Sequence, residues 1–79
     1  GRARFVRNVL IAIGNSAEPG LAATARGLLD DDSDLVRAAA VWAFARLSDP
    51  ASLRREAKRR LALETDADVR AEWSAELHS

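Results

Sequence analysis

The apolar positions of residues 34–47 recur at the helical period of 3.6 residues. One stripe of this predicted helix consists of Val36, Ala40, Ala43, Phe44 and Leu47. Three more apolar residues widen the surface beyond that stripe, namely Leu35, Ala39 and Trp42. Because alanine has the highest helix propensity and lets neighbouring helices approach closely, we expect this helix to be central and covered on more than one side.

Four further helices are predicted, at about residues 2–13, 19–29, 50–63 and 66–77. Pro19 suits a first helical turn, Asp49-Pro50 reads as an N-cap followed by proline, and Thr65 to Asp68 fits a capping box. Gly14-Asn15 predicts a left-handed end to the first helix.

The apolar spacing assigns each of these helices a buried side. The expected buried residues are Phe5, Val6, Val9, Leu10 and Ile13, then Leu21, Ala25, Leu28 and Leu29, then Leu53, Ala57 and Leu61, and finally Val69, Trp73 and Leu77. Glu72 and Glu76 are expected to face water. Trp42 and Trp73 are expected to pack, with Trp73 at an exposed end if further repeats follow.

A Val-Arg pair recurs at positions 6–7, 36–37 and 69–70, with spacings of 30 and 33 residues. Periods of this size are typical of helical repeats that stack on their neighbours. We therefore predict an all-α protein of about five antiparallel helices, in repeats 2–29, 30–63 and 64–79. The last repeat is partial and the chain contains no methionine, so we expect a fragment of a larger protein.

Composition excludes several kinds of chemistry. The chain has 12 basic and 12 acidic residues, no cysteine and one histidine, His78. No catalytic residue, resident cofactor or metal site is therefore predicted in it. The acidic run of residues 30–34 lacks the glycine and distal glutamate of a calcium loop, and is expected to be a solvated connection. No signal peptide or membrane-length apolar run is visible, so we expect a cytoplasmic protein.

Two cationic clusters are the candidate binding residues. The first crowds the fourth helix with Arg54, Arg55, Lys58, Arg59 and Arg60. Like charges four residues apart oppose each other on a helix, so something should offset them. That offset is either an RNA backbone or acidic partner, or else Glu56 together with the acidic start of the fifth helix. The second cluster, Arg2, Arg4 and Arg7, is expected to form an acid-free basic end.

Arg7, Arg37 and Arg70 occupy equivalent positions of the predicted repeats. One interpretation is structural, with each guanidinium bonding acids or carbonyls of an adjacent turn. The other is phosphate contact, for which Arg7 is the best candidate. No aromatic residue interleaves with the fourth-helix cations, so stacking of nucleic-acid bases is not expected there.

The segment Asp34-Leu35-Val36-Arg37-Ala38-Ala39-Ala40 resembles a HEAT-like repeat, in which the second helix of each pair lines the partner-binding side. Phe5-Val6-Arg7-Asn8-Val9-Leu10-Ile11-Ala12-Ile13-Gly14-Asn15-Ser16 resembles the opening of the C-terminal domain of epoxyqueuosine reductases. Leu35-Val36-Arg37-Ala38-Ala39-Ala40-Val41-Trp42-Ala43 resembles the second repeat of the same domain. The likeness runs from Arg4 to about Pro50 and fades after that.

This resemblance implies a parent enzyme that modifies tRNA with cobalamin and two 4Fe-4S clusters. The cluster cysteines of that family lie upstream of this domain. The implied partners are tRNA and the rest of the parent polypeptide, and an isolated fragment is also able to form a homodimer through faces that lack their neighbours. The alternative is a protein-interaction module of an unrelated HEAT-repeat scaffold.

Overall fold

Residues 34–47 form the helix against which the others pack. The structure is a computed structural model that describes residues 1–79. Its helices are α1 Arg2–Gly14, α2 Ala22–Gly27, α3 Asp34–Leu47, α4 Pro50–Leu61 and α5 Ala67–Leu77, and a 3-10 turn at Pro19–Leu21 precedes α2. The predicted all-α class is confirmed, with no strand anywhere. The finer assignment to HEAT-like repeats stays a prediction. No helix combines the length and hydrophobicity that a bilayer-spanning segment needs.

The core lies around α3. Helices α1, α2 and α5 pack along it, and α4 contacts both α3 and α5. The buried residues of α3 are Val36, Ala40, Val41, Ala43 and Phe44. Four of these five belong to the predicted stripe, and the burial of Val41 outside the stripe agrees with the expectation that α3 is covered on more than one side.

Three helices begin with a polar cap. Ser33 Oγ accepts a hydrogen bond from the Val36 amide at 3.3 Å, and Asp49 Oδ2 accepts one from the Ser52 amide at 3.1 Å. At α5 the cap is Asp66, whose Oδ2 accepts from the amides of residues 68 and 69 at 3.0 Å each. The predicted cap at Thr65 was therefore one residue too early, and a carboxylate satisfies two free amides there.

The ends of three predicted helices, α1, α2 and α4, differ from the pattern. Helix α2 stops at Gly27, after which the amides of Leu28 and Leu29 bond to carbonyls three residues back, so the predicted helix to residue 29 ends in tighter turns. Asn15, after α1, has a right-handed φ of −87°. The left-handed residue is instead Ala17, with φ 56°. Helix α4 ends at Leu61 rather than at residue 63.

Two predicted burials on α1 are wrong. Phe5 is 69% exposed and Val9 is 40% exposed, whereas Leu10 is fully buried. Helix α1 packs against α3 on one side only, which leaves the adjoining apolar positions uncovered. Trp73 is only 1% exposed because α3 covers it, so its predicted packing is confirmed.

Gly14 marks the closest approach of α1 to α3. A Cβ at this position would lie 2.9 Å from Trp42 Cε3 and closer still to Cζ3. The Arg46 guanidinium lies 5.0 Å from the centre of the same ring, and Arg46 Nε donates to the Gly14 carbonyl at 3.2 Å. Glycine is therefore needed here for space rather than for a left-handed turn.

Candidate nucleic-acid interface

Helix α4 presents its positive charge outward because its apolar residues occupy the opposite side. Ala57 is buried, while Leu53 and Leu61, four residues before and after it, are half-buried against the core. The remaining positions are mostly arginine and lysine, which favour helix. The exposed cations are Arg54, Arg55, Lys58 and Arg59. Their spacing of one, four and five residues gathers them on one helix face.

Glu56 neutralises part of this cluster from within α4. Its side chain is 9% exposed and its carboxylate accepts from Arg59 Nη1 at 3.3 Å and from Arg60 Nε at 3.2 Å. The predicted Glu56–Arg60 pair is thus present. Arg55 Nη2 donates only to the Ser52 hydroxyl, at 3.1 Å. Arg54 and Lys58 make no hydrogen bond or ion pair.

The acidic start of α5 does not reach these cations. Glu64 pairs with Arg37, Asp66 caps α5, and Asp68 forms no ion pair. Arg60 has a second acid, Asp30, at 3.8 Å. Neutralisation within the chain therefore accounts for Arg59 and Arg60, and leaves three exposed cations of α4 without an acidic partner.

A fourth exposed arginine joins the cluster from another helix. Arg26 of α2 lines a hollow of about 220 Å³ together with two arginines of α4, Arg55 and Arg59. Its other walls are Phe44, Ser52 and Glu56. The sequence pattern missed Arg26, because it lies alone among small residues, 29 positions before Arg55. Arg26 lies in the last turn of α2 and faces α4 across the hollow. This position indicates membership of the cluster only once the packing of the two helices is known.

The amino-terminal arginines do not form an acid-free end. Arg2 donates to both carboxylate oxygens of Asp31, at 2.6 and 3.2 Å, and this pairing holds the pKa of Asp31 below its usual range. Arg4 and Arg7 are exposed and have no hydrogen-bonded partner. Arg7 borders a groove formed by α1, α3 and α5, with no residue of α4. The two predicted clusters thus lie on different faces.

Two of the three repeat arginines hold turns together. Arg37 donates through Nε and Nη2 to the Glu64 carboxylate, at 2.9 and 3.0 Å, and through Nη1 to the carbonyls of Asp31 and Asp32. Arg70 Nη1 donates to the Leu61 and Glu64 carbonyls at 2.9 Å each. The structural interpretation is confirmed for these two, and Arg37 in particular links the turns before α3 and α5.

The two glutamates expected to face water on α5 are half-buried. Burial, together with the adjacent Glu72 carboxyl, raises the pKa of Glu76 to about 7, and Arg46 opposes the rise. The helical pattern placed these residues on the polar side of α5, but α3 and α4 crowd that side.

Glu76→Gln is expected to raise the melting temperature at about pH 8 and to leave it unchanged at about pH 4. The pKa of Glu76 in the folded chain, about 7, exceeds the ordinary value of 4.5. Between these two pH values the folded chain therefore keeps a proton that the unfolded chain loses. Stability from this group therefore falls as pH rises from 4.5 towards 7. Thermal unfolding followed by circular dichroism measures the effect. The exposed Glu18→Gln serves as the control, and a variant with the wild-type pH profile would contradict the assignment.

The acidic connection at residues 30–34 was expected to be solvated, but one of its carboxylates, Asp31, forms an ion pair and a hydrogen bond. Asp31 pairs with Arg2 and also accepts a hydrogen bond from the Ser33 amide at 3.0 Å. No three His, Cys, Asp or Glu side chains converge in an arrangement suited to a metal ion. His78 lies at the end of α5, with Nδ1 2.7 Å from the Ser74 carbonyl.

Comparison with known proteins adds no relative: no family model, curated protein or solved structure matches this chain. The interface is therefore defined by the geometry of α2 and α4 alone.

Proposed function

We propose that this chain is a non-catalytic domain that docks tRNA through the exposed cations of α4, as part of an epoxyqueuosine reductase-like enzyme. The observation that carries the proposal is the exposure of Arg54, Arg55 and Lys58 on one helix face without an acidic partner. The resemblance of residues 5–16 and 35–43 to that family supplies the identity of the RNA and of the parent, whose cobalamin and 4Fe-4S clusters would lie outside this chain.

A cationic helix face of this kind binds through phosphate contacts. Such contacts release counterions and fix the position of an RNA, and they carry little information about its sequence. Stacking of bases beside these cations would need an aromatic side chain. The two aromatic residues nearest the cluster in the sequence, Phe44 and Trp42, belong to α3 instead of α4, and Phe44 is buried. The domain would accordingly orient the RNA while the parent enzyme recognises the modified base.

Fluorescence anisotropy with labelled tRNA, at about 50 mM and 200 mM salt, tests the proposal. Arg55→Glu/Arg59→Glu is expected to weaken binding by about tenfold or more and to reduce the slope of log K against log salt by about 2. Arg4→Glu/Arg7→Glu changes the net charge equally on another face and should have little effect. Circular dichroism checks that both variants fold. Absence of wild-type binding at the lower salt concentration would refute RNA docking by this domain.

The second candidate is a protein-interaction module of an unrelated helical-repeat scaffold. One observation favours it, a groove of about 400 Å³ across α1, α3 and α5. Its apolar lining is Ile11, Leu35, Ala38, Ala39 and Trp42. The parent gene distinguishes the two candidates. Clustered cysteine codons upstream would support the reductase-like parent, and further helical repeats without them would support the scaffold.

A further inference from the structure

The hollow between α2 and α4 gathers three guanidinium groups around one small volume. Arg26, Arg55 and Arg59 line the 220 Å³ space, against a single carboxylate, Glu56. That carboxylate already accepts hydrogen bonds from Arg59 and Arg60, so it offers little repulsion to an incoming anion. The lining therefore carries a net positive charge.

The donors in this hollow are mostly free. Arg26 makes no hydrogen bond or ion pair, and Arg55 makes one, to the neutral Ser52 hydroxyl. The Phe44 ring, which is 2% exposed, forms an apolar wall. Charge-assisted hydrogen bonds strengthen where water is partly excluded, and planar guanidinium forks match the oxygens of a phosphate.

The hollow also opens into a longer track. A neighbouring depression of about 350 Å³ shares Arg26, Phe44 and Ser52, and extends to the turn at Pro19 and Gly20. Its one carboxylate, Asp49, accepts hydrogen bonds from the Ser52 amide and hydroxyl. A Cβ at Gly20 would meet nothing within 4 Å, so the backbone there is open. Such a track, with a cationic hollow at one end, fits a polymer better than a free ion.

We propose that Arg26, Arg55 and Arg59 form a discrete site for one backbone phosphate of the bound RNA, with the adjoining nucleotide running along α2 towards Gly20. This inference rests on the proposed function and deepens it, because it converts a diffuse cationic face into a defined contact made by two helices. Arg26 is the specific element, since it alone comes from outside the basic helix.

Charge-conserving variants separate a shaped site from general attraction. Arg26→Ala is expected to weaken tRNA binding about tenfold, and Arg26→Lys to weaken it by nearly as much, because lysine keeps the charge and loses the fork. The matched controls are at Arg54, which is exposed and lies outside the hollow. There the alanine variant should weaken binding about threefold and the lysine variant should weaken it less, because a diffuse contact depends mainly on the charge that lysine keeps. Anisotropy on the full chain, with circular dichroism for folding, gives both comparisons.

A second measurement follows the arginine side chains directly. Titration with inorganic phosphate should shift the Nε–Hε signals of Arg26, Arg55 and Arg59 saturably in ¹⁵N–¹H spectra, and leave that of Arg54 in place. If Arg26→Lys binds tRNA as well as wild type, or if substitutions at Arg26 and Arg54 cost the same, the discrete site is refuted while RNA docking stands. If tRNA does not bind but the three signals respond to phosphate, the anion site stands and RNA docking fails. No response to either probe overturns both.

Discussion

Trp73→Ala is expected to lower the free energy of unfolding by about 3–5 kcal/mol. The indole is 1% exposed and belongs to the core that joins α5 to α3. Its removal loses the transfer free energy of the largest buried side chain and leaves a cavity that helices fixed by neighbouring contacts fill only partly. At roughly 0.05–0.15 kcal/mol per residue, a domain of this length has about 4–12 kcal/mol in total, so the variant loses a large share of its stability. Urea denaturation followed by circular dichroism measures the loss.

The control for this variant is Leu63→Ala, at a position 81% exposed in the turn after α4. It removes apolar atoms without opening a cavity and should change stability by less than about 0.5 kcal/mol. A Trp73→Ala protein that unfolds at the wild-type urea midpoint would show that α5 does not pack on α3 in solution.

Gly14→Ala is expected to destabilise the protein by about 1–3 kcal/mol. In most helix interiors the same change stabilises by about 0.5–1 kcal/mol, because alanine restricts the unfolded chain. Here the added methyl group would overlap the Trp42 ring, whose Cε3 would lie 2.9 Å away. The ring is not free to move aside, because Arg46 lies over it and is itself bonded to the Gly14 carbonyl.

Gly27→Ala tests that reasoning with the same chemical change. Gly27 is the last residue of α2, and a Cβ there would meet nothing within 4 Å. It should leave stability unchanged or raise it by up to about 1 kcal/mol. The melting temperatures of the two variants should therefore shift in different directions, and a shared increase would contradict the close contact between α1 and α3.

Local signals in the sequence were sufficient to predict where the helices lie along the chain. The bounds of α3 follow from an alanine-rich apolar stripe between Ser33 and Ser48, and the start of α4 follows from Asp49-Pro50. Each of these features depends on residues within one or two turns of one another. The all-α class could be predicted for the same reason, since every segment carried a helical period and none carried a period of two.

Burial could not be predicted as well, because periodicity defines a face without saying which neighbour covers it. Phe5 and Val9 carry the same apolar signal as Leu10, yet α3 reaches only Leu10. Glu76 reads as a water-facing residue, yet neighbouring helices crowd it. The tryptophan contact with Gly14 also depends on how closely two helices approach, and this distance is absent from any local pattern.

The candidate interface likewise contains features that local sequence signals predict and features that depend on contacts between distant residues. The outward cations of α4 were predictable because the seam of Leu53, Ala57 and Leu61 fixes the orientation of that helix. Arg26 and the Arg2–Asp31 pair were not, because each brings together residues about 29 positions apart. The tRNA partner and the reductase-like parent stay predictions that the binding measurements address.

Helix α4 is attached to the core more thinly than the central helix α3. Of its residues only Ala57 joins the buried hydrophobic cluster, whereas α3 contributes five. Segments with few buried apolar contacts open at lower free energy than the whole molecule, and their amides exchange with solvent first. The helix that carries the cations is thus able to adjust its tilt to an uneven surface more readily than α3. A phosphate bound by both α2 and α4 would then restrict the movement of one helix relative to the other. Slower amide exchange along α4 would indicate that the phosphate is bound.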